Sequence, residues 1–569
     1  MRPHLLLAAL FLGSAAAVAA PGTTLYAHGH VYTGNPASPW AEAVAVEGAT
    51  IVAVGSDAAL GKYRSRGRTV DLKGRTVIPG LVDAHLHLLF GALTLDGLNL
   101  STPERSLTPN EPEAFVAALA AYARQHPEKR VLIARADFST AEPNAPDRAL
   151  LDRAVPDRPL VVHNASEHAV WVNTKALELA GITEAPLDSP AAEKGVFRNA
   201  SGRPSGMLLE GAQDRVHSAV LNLLGTEEKL ELVRRATRYL NSFGITSVVN
   251  ATGNLAEIEL YGTLRDRGEL TVRTRTAFGA VSVPHRLTPE FLADLETART
   301  RYHDDWVAAN LVKFFADGST GFIPPLVYRP AEYRALVEEL DRRGFQLMTH
   351  AQRGDSVHMI LDAYENAIAK NGPRERRLRI EHSFLISDED IGRYARLNVI
   401  AGIQPAFCCS ELGTGYDAKD PTVSDRWRTL LDRGVTLALS SDWPCMWPPD
   451  PYLNIQQAVT RQAWKSPDTA VIDAGVFDGA GNGGAKPLAG QYYGQSEAIT
   501  VREAIDGYTR GAAFAAYAEK LVGTLEVGKA ADLVVLSQDI FAVPAERIGA
   551  TKALLTVVGG RTVYEAALH

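Results

Sequence analysis

Cysteine is almost missing from this chain of 569 residues, which has only Cys408, Cys409 and Cys445. So few thiols exclude a disulfide framework, and a chain this long buries enough core to do without one. Adjacent Cys408 and Cys409 are poor bridge partners for each other. The spacing to Cys445 fits no zinc–cysteine pattern, so buried free thiols are expected. A charge bias is missing too. The formal net charge of −8 gives no electrostatic reason to expect nucleic acid or an anionic membrane as a partner. Beyond the first twenty residues no apolar run is long enough to span a bilayer. No G-x-S-x-G occurs, which argues against a serine-esterase elbow. Gly523 to Lys529 imitates the start of a phosphate-binding loop. Ala530 stands where that loop needs a hydroxyl, and a strand follows instead of a helix, so nucleotide binding is not expected.

The first twenty residues differ from the rest. Arg2 and His4 precede an apolar run from Leu5 to Val18, and Ala17-Val18-Ala19 has the A-x-A form of a cleavage site. Residues 1–20 therefore read as a signal peptide, and the mature chain is expected to be periplasmic or secreted, with no stable membrane insertion after cleavage. Hydrophobic residues at 46% and charged residues at 22% suffice for a large core.

Both ends of the mature chain read as short strands with turns. Ala43-Val44-Ala45-Val46 and Thr50 to Val54 flank Glu47-Gly48-Ala49 as a hairpin, and Ala531 to Leu536 and Leu554 to Val558 have the same texture. Residues 21–80 and 520–569 are thus expected to build one composite β-sandwich from both termini. The middle, 81–519, alternates strands and helices. The strands are Leu81 to His87, Gly244 to Asn250, Val272 to Gly279, Leu311 to Asp317, Phe345 to Ala351, Leu378 to Ser383, Asn398 to Gln404 and Thr436 to Asp442. Eight such units predict an α/β fold, a (β/α)8 TIM-like barrel. Lys313, His350 and His382 are separated by one unit of about thirty residues each, and Asp442 follows after about two units. Residues 88–243 are too many for one unit. They predict an insertion after the first strand that covers the active face, with strands at Arg130 to Ala136 and Pro159 to His163 and a turn region at Arg203-Pro204-Ser205-Gly206. The glycine-rich stretch Ala474 to Gln495 has the character of a lid.

His85 and His87 lie two apart on a strand, so their side chains leave one face. At the C-terminal mouth of a barrel two imidazoles there suit a divalent metal. His350, His382 and Asp442 close later strands, in barrel register. Lys313 sits in the otherwise apolar run Leu311-Val312-Lys313-Phe314-Phe315. A buried lysine is costly without a reason. A lowered pKa or a metal-bridging carbamate would supply one, and the alternative is a lysine snorkelling to solvent at the rim.

These residues carry a resemblance. Ile78-Pro79-Gly80-Leu81-Val82-Asp83-Ala84-His85-Leu86-His87 resembles the opening motif of the amidohydrolase superfamily. Val312-Lys313-Phe314-Phe315-Ala316-Asp317-Gly318-Ser319, Thr349-His350-Ala351, Arg379-Ile380-Glu381-His382, Ser440-Ser441-Asp442-Trp443-Pro444 and His168-Ala169-Val170-Trp171-Val172-Asn173 are similar to the amidohydrolase-3 branch, in the order that branch has them. The resemblance implies a small-molecule hydrolase that cleaves a C–N bond other than a peptide bond. It implies His85, His87, His350 and His382 as metal ligands, Lys313 as a carbamylated bridge, and Asp442 as last ligand and general base. His168 or another loop donor would polarise the substrate carbonyl. Histidine-rich sites of this kind suit zinc, as one ion or two depending on Lys313. Two positions depart from the branch: Gln352-Arg353 replaces an apolar residue, and Asn250 stands where an aspartate is usual. Arg353 suits a substrate carboxylate, or else pairs with a nearby acid, and Trp443 is a second candidate for substrate contact. Ester hydrolysis, deamination or isomerisation on the same site, or a non-catalytic periplasmic binding role, remain alternatives. A homo-oligomer is compatible with the sequence.

Overall fold

The computed structural model describes residues 22–566 except 103–104, 139–145, 165–168, 188–194, 281–286, 318–325, 409–423, 446–447, 466–485 and 493. Eight parallel strands form one nearly closed sheet in sequential order: Leu81–Leu86, Ile245–Gly253, Arg273–Gly279, Val307–Phe315, Gln346–Ala351, Arg379–His382, Ile400–Ile403 and Leu437–Leu439. The expected barrel is present, with each strand where the apolar runs placed it and only the ends shifted. Helices cover the outside. Pro330–Arg342, Gly354–Asn371 and Asp388–Leu397 follow the fourth, fifth and sixth strands. The last shows why such a segment is helical. Ser387 caps its start by accepting from Asp390 N, Asp388 and Glu389 complement the N-terminal dipole, and Asn398 ends it in the left-handed region at φ 54.

The first and eighth strands share no ladder. At their C-terminal ends two backbone bonds join the segments, Asp442 N to His85 O and His87 N to Trp443 O, both 2.8 Å. This seam lies beside the functional residues.

Both termini build the β-sandwich. A four-stranded sheet holds Thr23–Ala27, Ala43–Glu47, Thr50–Gly55 and Gly67–Asp71. In a six-stranded sheet Thr76–Pro79 pairs antiparallel with Leu533–Leu536, so the two ends of the chain meet directly. The expected hairpin is there, Ala43 to Glu47 against Thr50 to Gly55. Arg273 fastens sandwich to barrel. Its Nε and Nη2 donate to the Asp532 carboxylate at 2.8 and 3.1 Å, both side chains are buried, and Asp532 Oδ1 also accepts from Gly559 N.

The insertion folds as its own mixed sheet of six strands, among them Leu132–Ala136, Leu160–Asn164, Ala169–Val172 and Pro204–Leu209. One expectation fails here. Arg203-Pro204-Ser205-Gly206 is not the turn. Asn199 N bonds Arg203 O and makes the turn one step earlier, and Pro204 opens a strand, where a missing N–H is tolerated. Gly206, at φ 94, lets that strand approach Val172 O, which an added Cβ would meet at 2.3 Å. Of the expected lid, 474–485 lies outside the described residues, and Lys486–Tyr492 pairs with Gln462–Lys465. The free-thiol expectation is corrected at Cys408, which is buried and disulfide-bonded, whereas Cys445 keeps its thiol. Among the described residues no helix is long and apolar enough to cross a membrane.

Asp532→Ala leaves the Arg273 guanidinium buried without its counter-charge. The expected cost is about 3–5 kcal/mol, read as a lower midpoint in urea at unchanged secondary structure.

Candidate metal centre

The strand ends bring His85, His382 and Asp442 together. Their ligand atoms all lie within 4.8 Å of one another and all three residues are buried. His87 joins them from the start of the helix Leu88–Leu95, with Nε2 3.2 Å from Asp442 Oδ1; His85 Nε2 is 3.4 Å from the same oxygen. His382 and Asp442 sit in the left-handed region, at φ 69 and 58. Non-glycine residues there carry a conformational cost that functional sites commonly hold.

The imidazoles are aimed from behind. His85 Nδ1 bonds Glu381 Oε2 at 2.6 Å, which leaves Nε2 as the inward atom. Glu381 is itself held by Arg379, whose Nε and Nη2 donate to its two oxygens at 2.8 and 3.0 Å, while Nη2 also reaches Ala84 O. Gly402 makes room for that carboxylate, since a Cβ there would come 2.4 Å from Glu381 Oε2. His87 Nδ1 bonds Thr252 Oγ1 at 2.6 Å. Asn250, at the departure noted above, accepts from Leu88 N and donates to Glu257, and so pins the chain just past His87.

Burial, reinforced by Lys313, pushes His85 well below the ordinary histidine range. Burial takes His382 down to about 4. Both imidazoles are therefore neutral at pH 7, the form that binds metal. Burial raises the Asp442 carboxyl, but the surrounding imidazoles of His85, His87 and His382 outweigh it and hold the group below the usual carboxylate range. Two neutral imidazoles and an ionised carboxylate thus face one point. Asp442 Oδ1 is buried, and its nearest neighbours are the ring nitrogens of His87 and His85 at 3.2 and 3.4 Å. Ring nitrogens crowded around one buried carboxylate oxygen are a donor set that a cation of borderline softness would satisfy. The donor set fits a divalent metal.

The other sequence candidates are placed differently. Lys313 is wholly buried, which removes the snorkelling alternative. Its Nζ lies 3.3 Å from His85 Nε2 and over the Phe315 ring, and burial lowers its pKa to about 8. His350 packs edge-on against His382 at 4.3 Å between ring centres, but its Nε2 lies 3.3 Å from Asp317 Oδ1 and is not in the closest set. Arg353 pairs with Asp355 through two bonds of 3.0 Å at the rim. The ring of Trp443 is fully buried against Gly91 and near Tyr239, a packing role in place of the expected substrate contact: the seam bond to His87 turns the chain so that the ring points into the core. His168 lies outside the described residues.

Sequence reasoning passed over Glu381 and Arg379. The signal was available: two charged residues alternate in a strand that is buried throughout, which is as costly as the lysine that did draw notice. Glu381→Gln keeps the shape and loses the negative charge on His85. Metal affinity is expected to fall about 10–100-fold, measured by competition with a chromophoric chelator; an unchanged affinity would show that Glu381 has no such role.

A profile described as "Amidohydrolase family" matches residues 68–564. The chain is 28% identical to the putative amidohydrolase YtcJ of Bacillus subtilis, with 94% of this chain and 98% of that protein covered. It is 26% identical to the N-substituted formamide deformylase of Arthrobacter pascens, covering 94% and 97%. A solved structure of an uncharacterized metal-dependent hydrolase from Pyrococcus horikoshii superposes with TM-score 0.69 at 20% identity over 92% of this chain and 99% of that one, a likeness of fold.

Proposed function

The chain belongs to the amidohydrolase family, and we propose that it hydrolyses a C–N bond other than a peptide bond in a small-molecule amide, of N-acyl or N-formyl type. The observation that carries the reading is the convergence of His85, His382 and Asp442 at the barrel mouth, with His87 beside them. The similarity to an N-substituted formamide deformylase over nearly the whole chain supports the choice of bond. His85, His87, His382 and Asp442 would hold the cation, with zinc favoured by the donor set. Such a cation, when bound, lowers the pKa of water and polarises a carbonyl.

The protein's own groups do the rest. Asp442, ionised at neutral pH, takes the proton of the attacking water as the C–O bond forms. It returns that proton to the leaving nitrogen as the C–N bond breaks. Glu381 and Thr252 hold the imidazoles so that these groups need not reorganise during the reaction. Lys313, with its pKa near 8, has a fraction of free amine at neutral pH. That is the form that carbon dioxide converts to a carbamate, and with it the site would take a second ion alongside His350.

Asp442→Asn keeps an oxygen in place but cannot accept a proton. Turnover is expected to fall about 10²–10⁴-fold, with metal content near wild type. The measurement is a panel of N-formyl and N-acyl amides and their ester counterparts, assayed with metal analysis of both proteins. Undiminished turnover in the variant removes Asp442 as the base, and ester cleavage without amide cleavage removes the proposed bond.

A further inference from the structure

We infer that Asp83 is a positioning residue that closes the barrel seam and thereby fixes the distance between the two arms of the metal centre. This rests on the metal reading above.

A closed barrel would satisfy the backbone between the first and eighth strands with a ladder. Here those strands share none, and Ser441 N needs another partner because the residue is buried. Asp83 supplies it. Its Oδ1 and Oδ2 accept from Ser441 N at 3.1 and 3.2 Å, and Oδ1 also accepts from His85 N at 3.2 Å. One side chain therefore grips the backbone of His85 on one strand and the residue before Asp442 on the other. Asp442 N completes the grip on His85 O.

The need for such a grip follows from the conformation of Asp442. Its positive φ is not one an aspartate adopts unless its surroundings impose it. The chain just before it is held by the carboxylate of Asp83, and the chain just after it by the bond of Trp443 O to His87 N. Asp83 itself is completely buried and is not one of the converging ligand residues. It acts on the backbone that carries the ligands.

Asp83→Asn is the test. Asparagine keeps Oδ1 for His85 N and Ser441 N, but puts an NH2 group against Ser441 N–H, so the seam loosens while the core stays filled. Three measurements are made on wild type and variant: the dissociation constant for Zn2+ by chelator competition, the visible spectrum after Co2+ substitution, and amide hydrogen exchange of the metal-free proteins. The expected result is zinc affinity lower by about 10–100-fold, a shifted Co2+ spectrum, and faster exchange confined to peptides spanning 81–88 and 437–445. If the variant fails to fold, Ser441→Pro, which deletes the N–H that Asp83 accepts together with the hydroxyl that accepts from Trp443 N, carries the same expectation, and Ser441→Ala, which removes the hydroxyl alone, is its control. Zinc affinity and Co2+ spectrum equal to wild type overturn the inference. A wild-type protein that binds no metal overturns the metal reading instead, and the two failures are told apart by that control.

Discussion

The bond between His85 and Glu381 is the contact on which the site depends. An imidazole buried in a barrel has no water to orient it, and two ring nitrogens that differ only in their neighbours. Glu381 takes one of them at 2.6 Å, so the other faces Asp442. The carboxylate is in turn buried, and a bare buried carboxylate is costly. Arg379 offsets that cost from the same strand, and Gly402 on the next strand leaves room for the carboxylate. A strand, a charge pair and a missing side chain are thus arranged around one hydrogen bond.

The same constraint reappears at each corner. His87 is oriented by Thr252, and the chain after it is pinned by Asn250. Asp442 is held in a left-handed conformation by bonds on both sides. At the barrel's open seam Asp83 accepts from Ser441 N, and His85 O accepts from Asp442 N. The sandwich, fastened through Arg273 and Asp532, closes the far end of the same strands.

Much of this was legible in the sequence. Eight apolar runs in barrel spacing gave away the strands, because a parallel strand buried on both faces leaves an unbroken apolar record. Histidines and an aspartate at the ends of those runs then pointed to the mouth. The family resemblance added their roles as an expectation, and the geometry brought His85, His382 and Asp442 together with His87 beside Asp442. What stayed hidden was direction. The sequence does not say that His350 Nε2 stands beside Asp317 or that the Trp443 ring is buried in the core. Arg353 takes the second of its two expected courses and pairs with a nearby acid, Asp355. Glu381 was hidden by its neighbour, since a motif ending in His382 draws the eye to the histidine.

The central claim is that histidines at the barrel mouth hold a divalent cation together with Asp442. X-ray absorption at the zinc edge of the loaded wild-type protein tests it most directly. The account predicts a nitrogen- and oxygen-rich shell at about 2.0–2.2 Å with the outer scattering of imidazole rings, and loss of one ring's contribution in His382→Ala. A shell without imidazole scattering, or a spectrum unchanged by that substitution, would contradict it.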